Sequence, residues 1–364
     1  MAKQSASKSP LRVVVFTALS IILTWVPLSL IILGVWTPAS TTITLLFSIC
    51  MLVPAFSVVV TRLVTREGFK NFMLRPNFKG HALTYLAAWF LPPLLIALGA
   101  ALYFVIYPAN FDLSMSTAAE QIKAQLEAAG AGGLVTDSYI KMILLLQLVI
   151  GVALAPILNI FFCLGEELGW RGYLLPKLDE CMSVPIAVLV NGIIWGVWHA
   201  PMIILGHNYG TQYSGYPYIG IVGMILFCVF VGALFSYLTY KAKSAIPAAI
   251  AHGALNGMAA AGVIFNRGNV RIFQGPLPVG YLGGAAFIVA GAVCFLLFIR
   301  LGRKNKLEQA AASAETTAVE ETIVVEAPAV EDAPTAPPTA ETAEETAAEE
   351  TATEPTSPAA EQEQ

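Results

Sequence analysis

The sequence predicts an all-α, multi-pass membrane protein with about eight transmembrane helices. The 364-residue chain is 57% hydrophobic and only 12% charged, with a mean hydropathy of +0.70. Soluble domains average about 25% charged residues, so this composition excludes a soluble enzyme. Eight apolar segments are each long enough to cross the roughly 30 Å hydrocarbon core of a bilayer. The net charge of −4 lacks the basic excess of a nucleic-acid-binding protein, so no nucleic-acid partner is expected.

The predicted spans are rich in Leu, Ile, Val, Ala, Gly and Phe. No small-residue cleavage site follows the first span, so we expect a retained anchor and not a signal peptide. A straight helix from Lys141 to Glu166 would be about 38 Å long, which predicts a bend near Pro156. A short surface helix is expected at Thr117–Ala129. The spans are residues 13–36, 41–61, 82–107, 140–163, 184–205, 218–240, 244–265 and 279–299.

Lysine and arginine residues predict the orientation of these spans. Sixteen of them lie at the termini and in connections on the side of the N-terminus, and four lie on the opposite side. Cytoplasmic loops are enriched in such residues, and an even number of spans brings both termini to one side. We therefore expect a cytoplasmic N-terminus and a cytoplasmic C-terminus. The compact loops and the Ala- and Glu-rich end suggest a bacterial protein of the plasma membrane.

Composition divides the chain into three parts. Residues 1–139 hold the first transmembrane helices and the long outer loop, and residues 140–300 hold a membrane core with most of the polar residues inside spans. Residues 301–364 carry 15 acidic and three basic residues. A segment so poor in apolar side chains cannot offset its ordering entropy, so we expect a disordered, acidic, cytoplasmic tail.

Two adjacent carboxylates are the most unusual polar feature of the spans. Glu166 and Glu167 end a long apolar run, and Arg171 follows Glu167 by four residues. On a helix this spacing lets Arg171 pair with Glu167, whereas Glu166 points about 100° away and stays available. Ionisable groups at membrane depth are costly and usually functional, so the pair indicates a functional site.

Two histidines and an asparagine lie in later spans. His199 comes late in the fifth span, and His252 and Asn256 share one face of the seventh. With the glutamates, this cluster can hold a metal, relay protons or activate water. In hydrolysis a buried carboxylate acts as general base, and histidine and amide groups stabilise an oxyanion. Alternatively, Glu166, His199 and His252 supply the three protein ligands of a catalytic zinc, although the HExxH pattern is absent.

The order and spacing of these residues resemble the three motifs of the CPBP family. This family, also called ABI, contains CAAX proteases and bacteriocin-processing enzymes, and its motifs are EExxxR, FxxxH and HxxxN. The resemblance covers roughly residues 140–265, with each motif on its own span. The matching residues are Glu166, Glu167, Arg171, His199, His252 and Asn256.

The resemblance implies an intramembrane catalytic cavity that hydrolyses peptide bonds, as in the related type II CAAX prenyl endopeptidases. By position, Glu166 would be the water-activating base and His199 its partner. His252 and Asn256 would support the oxyanion. The family has been described both as metalloproteases and as glutamate-dependent proteases, so the resemblance leaves zinc or no cofactor open. The candidate zinc ligands are then Glu166, His199 and His252.

The resemblance also gives expectations for the surroundings of this site. Glu167 and Arg171 would form a structural or orienting pair. Trp195 stands where the FxxxH motif has phenylalanine, and we expect this change to reshape the cavity wall without removing the chemistry, because the ring supplies no proton. We expect the cavity in the cytoplasmic half of the membrane.

Two other functions compete with the endopeptidase. One is a non-proteolytic membrane scaffold or bacteriocin-immunity protein of the same fold, and the other is a transporter, although the inverted repeats typical of many transporters are not visible. The expected partners are the lipid bilayer and a membrane-associated protein or peptide substrate. Prenylated CAAX proteins, signal-peptide remnants, peptide pheromones and bacteriocin precursors are all open as substrates, and so is the oligomeric state.

Overall fold

A computed structural model describes residues 8–130 and 135–303, and within these ranges it contains no β-strand. The all-α prediction is therefore confirmed. The predicted disorder of the acidic tail falls almost wholly outside the described residues. The helices are α1 (Ser9–Ile32), α2 (Ser40–Cys50), α3 (Val53–Val64), α4 (Ala82–Ile106), α5 (Ser116–Ala128), α6 (Asp137–Ala153), α7 (Ala155–Leu158), α8 (Ile160–Gly169), α9 (Leu175–Asp179), α10 (Val184–Trp198), α11 (Ala200–Ile204), α12 (Tyr218–Ala242), α13 (Ile246–Met258), α14 (Ala261–Ile264) and α15 (Ala285–Arg303).

The helices follow the predicted membrane spans closely. In the part of the chain that the structure describes, six helical segments are long and apolar enough to cross a membrane: α1, α4, α10 with α11, α12, α13 with α14, and α15. Helices α2 and α3 pass the same test as a pair, with a bend of 41° between them. The predicted fourth span is divided among α6, α7 and α8. The chain is thus a multi-pass membrane protein.

Prolines explain two breaks that matter for the functional site. Pro156 lies in the first turn of α7, between the end of α6 and the start of α8, so the helix is interrupted where the bend is predicted. Pro201 lies in the first turn of α11. This helix starts directly after His199, which is the C-cap residue of α10. Proline has no backbone N–H and clashes with the preceding turn, so both helices end before these positions.

Two glycines let helices α10 and α12 pack closely together. Gly192 and Gly196 lie one turn apart on α10, where it crosses α12. A Cβ atom on Gly192 would come within 2.7 Å of the Val229 Cα, and one on Gly196 within 2.4 Å of the Ile225 Cα. Small residues at this spacing let membrane helices approach closely. They fix α10, which carries Trp195 and His199, against α12.

A polar network lies at the end of the molecule where α1 begins, and we call it the Glu67 network. Glu67 Oε1 lies 2.9 Å from Lys177 Nζ, and Glu67 Oε2 lies 3.4 Å from Arg12 Nε. Tyr173 donates its hydroxyl to Glu67 Oε2 over 2.7 Å. Lys177 also pairs with Glu180 at 2.8 Å. The network therefore ties the start of α1 to the segment after α3 and to α9.

At the opposite end, Asp112 organises the loop that follows α4. Its side chain is 2% exposed and accepts hydrogen bonds from the backbone N–H groups of Ser114 and Thr117. The Ser114 hydroxyl also donates to Asp112 and, as the largest cause, lowers the pKa of this carboxyl despite its burial. The bond from Thr117 satisfies a backbone N–H in the first turn of α5, and the position of α5 agrees with the predicted surface helix.

Candidate active site

A cavity of about 440 Å³ lies among α2, α8, α10, α12 and α13. Glu166, His199, His252 and Asn256 all line its wall. The structure thus brings four of the six sequence-predicted residues together around one space, although they come from three separate segments of the chain. Glu167 and Arg171 are fully buried and lie behind the wall.

The Glu166 carboxylate is held by two tryptophans. It is 2% exposed, and its Oε2 atom accepts hydrogen bonds from Trp195 Nε1 over 2.8 Å and from Trp170 Nε1 over 3.2 Å. No described residue donates a hydrogen bond to Oε1. Both donors are neutral, so the carboxylate is oriented without an ion pair to its own oxygens. Oε1 is therefore the oxygen available to a molecule in the cavity.

The neighbouring Glu167 has the opposite environment. Arg171 Nη1 lies 2.9 Å from Oε1 and 3.0 Å from Oε2 of Glu167, as the four-residue spacing predicts. His252 Nδ1 lies 2.9 Å from Oε1, and because a carboxylate accepts, Nδ1 donates. The guanidinium of Arg171 stacks over the Trp195 ring at 4.3 Å, a favourable cation–π geometry. Glu167 thus fixes His252 and is itself compensated by Arg171.

Trp195 connects most of these groups. Besides donating to Glu166, it accepts a hydrogen bond at its backbone oxygen from His199 Nδ1 over 2.9 Å. A carbonyl only accepts, so His199 carries a hydrogen on Nδ1, and Nε2 of the neutral ring is an acceptor. The Trp195 ring also lies 5.5 Å from the His252 ring, in an edge-on arrangement.

Trp195 lines the cavity wall, which its change from phenylalanine was expected to reshape. Sequence reasoning did not foresee that its indole N–H donates a hydrogen bond directly to Glu166. Sequence reasoning also missed Trp170 and Asn191, whose Nδ2 donates to the Trp170 carbonyl over 2.7 Å. One signal was present in the sequence: Asn191, Trp195 and His199 recur every four residues and so share one face of α10.

Contacts along α1 give the depth of the site. Phe16 packs against the Trp170 ring at 5.6 Å, and Thr24 accepts a hydrogen bond from Trp198 Nε1 over 2.8 Å. These two levels are about 10 Å and 22 Å from Ser9 along the helix. The cavity wall continues beyond Trp198 to Asn208, in the connection after α11.

The expected cytoplasmic position of the cavity and the predicted cytoplasmic N-terminus therefore do not agree with each other. The cavity extends from mid-depth away from the start of α1, towards the side of the connection that comes after α11. With a cytoplasmic N-terminus this is the outer half. The disagreement arises because helix lengths counted from sequence do not fix how far one helix is shifted along another.

The residues present do not fit a three-ligand zinc site in this arrangement. One carboxylate and two histidines are a suitable donor set for zinc. Within residues 8–130 and 135–303, however, no group of three or more His, Cys, Asp or Glu side chains is placed to hold a metal ion. Glu166, His199 and His252 share the cavity wall without forming such a group.

Comparison with known proteins gives an independent view of this core. Residues 141–258 match the sequence model of the Rce1-like family, described as type II CAAX prenyl endopeptidase Rce1-like. A CAAX prenyl protease 2 from Methanococcus maripaludis is 32% identical over 92 residues, which cover 25% of this chain and 34% of the relative. The match thus spans about a third of the curated relative.

The match covers most of the cavity wall, whereas α2, Pro278 and Val279 lie outside it. The family match includes α8, the π turn at Trp170–Leu174, α10, α12 and α13. All six motif residues named from the sequence lie within it. The family match, the similar CAAX protease and the motifs agree, and the core at residues 141–258 is similar to the CPBP family of CAAX proteases.

Proposed function

We propose that this chain is an intramembrane endopeptidase that hydrolyses peptide bonds of membrane-associated proteins or peptides. One observation supports this most strongly. The buried carboxylate of Glu166 is held at one oxygen by two neutral donors and is available at the other, in a cavity shared with two histidines and an asparagine. A carboxylate in such a place is suited to take a proton from water.

In the proposed reaction, Glu166 Oε1 accepts a proton from a water molecule in the cavity while the oxygen of that water attacks the scissile carbonyl carbon. His199 Nε2, an acceptor in the neutral ring, orients the other hydrogen of that water. The carbonyl π bond breaks and leaves an oxyanion, which accepts hydrogen bonds from Asn256 Nδ2 and from protonated His252 Nε2. When the C–N bond breaks, Glu166 returns the proton to the leaving amine.

Glu167 and Arg171 act in this proposal without touching the substrate. The His252 ring is oriented by its Nδ1 bond to Glu167, and the negative charge of Glu167 favours the imidazolium form. Together with protonated His252, Arg171 balances the two negative charges of Glu166 and Glu167. Both residues are therefore positioning residues.

The proposed substrates enter from the side towards which the cavity extends. The relative's name associates that protein with prenylated CAAX sequences, and a prenylated peptide is accordingly the first probe for this chain. The cavity extends to Asn208 and to Pro278 and Val279, which come after α11 and α14. With a cytoplasmic N-terminus, substrates reach Glu166 from the outer side.

The test compares wild type, Glu166→Gln and Glu67→Gln, expressed at equal levels in host membranes. Peptide termini in these membranes are identified by mass spectrometry. Purified proteins are assayed in detergent on an internally quenched peptide with a farnesylated CAAX cysteine, and on the same peptide without the farnesyl group. A chelator arm tests whether cleavage depends on a metal.

We expect new termini with wild type and Glu67→Gln, and a loss of about 10²–10⁴-fold in cleavage rate with Glu166→Gln. Glu67→Gln is the matched control because it removes a largely buried carboxylate outside the cavity. Equal termini in all three membranes and no cleavage of either peptide would overturn the proposal in favour of a binding protein. Full activity of Glu166→Gln would reject Glu166 as the base.

A further inference from the structure

We propose that Trp195 is a positioning residue that orients the Glu166 carboxylate so that Oε1 alone meets the reacting water. This inference rests on the proposed function and deepens it. It starts from an unusual arrangement, in which two indole N–H groups from different helical segments donate to the same carboxylate oxygen.

The two donors occupy Oε2 fully. A carboxylate oxygen has about two lone-pair sites, and Trp170 and Trp195 each take one. Trp170 is four residues from Glu166 on the same helical segment, whereas Trp195 comes from α10. One contact therefore fixes the side chain within its own helix, and the Trp195 contact fixes it relative to the helix that carries His199.

Trp195 also orients His199, the second residue that contacts the reacting water in the proposed mechanism. Its backbone oxygen accepts from His199 Nδ1, which leaves Nε2 to face the cavity as an acceptor. The indole N–H and the backbone carbonyl of this one residue thus set the direction of the base and of its partner. A shift of either group by about 1 Å is enough to cost on the order of 100-fold in rate.

One substitution removes the indole contact of Trp195 with Glu166 and keeps its backbone contact with His199. Trp195→Phe removes the N–H donor and keeps an aromatic ring beside Arg171, at 4.3 Å in the native structure. The backbone carbonyl that holds His199 is also kept. The control is Trp89→Phe, which removes an indole N–H bond to the Val152 carbonyl of 2.9 Å, outside the cavity.

The kinetic test measures kcat and KM of the three purified proteins on the quenched farnesyl-CAAX peptide. We expect Trp195→Phe to lower kcat about 10- to 100-fold with KM within about twofold, and Trp89→Phe to retain the wild-type kcat. An unchanged kcat in Trp195→Phe, or equal losses in both variants, would overturn the positioning role. No cleavage of any peptide by wild type would instead overturn the proposed function, and the positioning role with it.

A second measurement, by spectroscopy, does not depend on catalytic activity. Ultraviolet resonance Raman spectra report hydrogen bonding of the indole N–H. The difference between wild type and Trp195→Phe isolates the Trp195 signal, and we expect a hydrogen-bonded indole. The same difference taken in a Glu166→Ala background should show a weaker hydrogen bond. Identical difference spectra in the two backgrounds would show that Trp195 does not donate to Glu166 and would overturn the inference.

Discussion

The carboxylates of Glu67 and Glu166 lie near opposite ends of the helical segment Ile160–Asp179. Their surroundings differ in a way that distinguishes a structural carboxylate from a reactive one. Glu67 has both oxygens occupied, by the cations of Arg12 and Lys177 and by the Tyr173 hydroxyl. Glu166 has one oxygen occupied, and only by neutral indoles. The Glu67 network joins three parts of the chain, whereas the Glu166 site leaves an oxygen facing a cavity.

The difference indicates how a carboxylate in a membrane protein is kept reactive. Ion pairing satisfies a buried carboxylate and lowers its tendency to take a proton. Neutral N–H donors fix its direction with less loss of basicity. The neighbouring residues Glu166 and Glu167 show the same difference, because Glu167 forms an ion pair with Arg171 and Glu166 does not. Four predictions test this comparison.

The largest expected effect is an all-or-none difference in thiol labelling between the end of the molecule with the Glu67 network and the end with the cavity. The native Cys181 is exposed near the Glu67 network, and the other four cysteines are buried. Asn208, exposed beside the cavity, is changed to cysteine. We expect an impermeant thiol reagent to label Asn208→Cys in intact cells and Cys181 only after permeabilisation. The reverse pattern would place the cavity on the cytoplasmic side.

Arg171→Met should give the largest loss of stability. It leaves the charge of Glu167 buried without its strongest partner, which costs about 3–5 kcal/mol for a broken buried pair. Thermal unfolding in detergent measures the change. The double variant Arg171→Met with Glu167→Gln should recover part of the loss. A single variant as stable as wild type would mean that Glu167 is not ionised beside Arg171.

Loss of the Glu67 network should cost less and should depend on pH. Burial alone raises the pKa of Glu67, but hydrogen bonds from Lys177 and Tyr173 and nearby cations outweigh it and lower the pKa below 4.5. Because the folded-state pKa is lowered, the ionised carboxylate stabilises the fold above the unfolded-state value. This contribution is lost as the pH falls through the folded-state pKa.

Glu67→Gln measures that contribution. We expect a loss of about 1–3 kcal/mol at neutral pH that shrinks as the pH falls below about 4. Unfolding midpoints of wild type and variant, measured from neutral to acidic pH, should converge at the acidic end. A constant difference across this range would show that the ionised form of Glu67 does not stabilise the fold.

The smallest effect is expected at an exposed ion pair. Lys123 Nζ lies 3.3 Å from Asp137 Oδ1, but the two side chains are 42% and 58% exposed. Solvent screening reduces such pairs to less than about 1 kcal/mol. Lys123→Gln should therefore shift the unfolding midpoint far less than Glu67→Gln does. A comparable shift would contradict the view that burial decides the strength of these pairs.

Much of the fold was predictable because helices in a bilayer follow local composition. The apolar runs located the helices, Pro156 located a break, and the spacing of Glu167 and Arg171 gave their contact. The depth of the cavity was not predictable, because the shift of α10 and α13 along α1 depends on packing between distant segments. The Trp195 donor was missed for a related reason, since its partner lies 29 residues away.

The π turn at Trp170–Leu174 changes the helical phase between the two carboxylate sites. Glu166 and Lys177 are eleven residues apart, so in a regular helix they would share one face to within about 20°. A wider turn with one extra residue rotates the subsequent residues by about 100°. One continuous segment, Ile160–Asp179, can therefore direct Glu166 into the cavity and Lys177 to Glu67. Removing one residue from this turn would leave Glu166 and Lys177 ten residues apart in a regular helix, about 80° from a common face. Both side chains should therefore keep their directions after such a deletion.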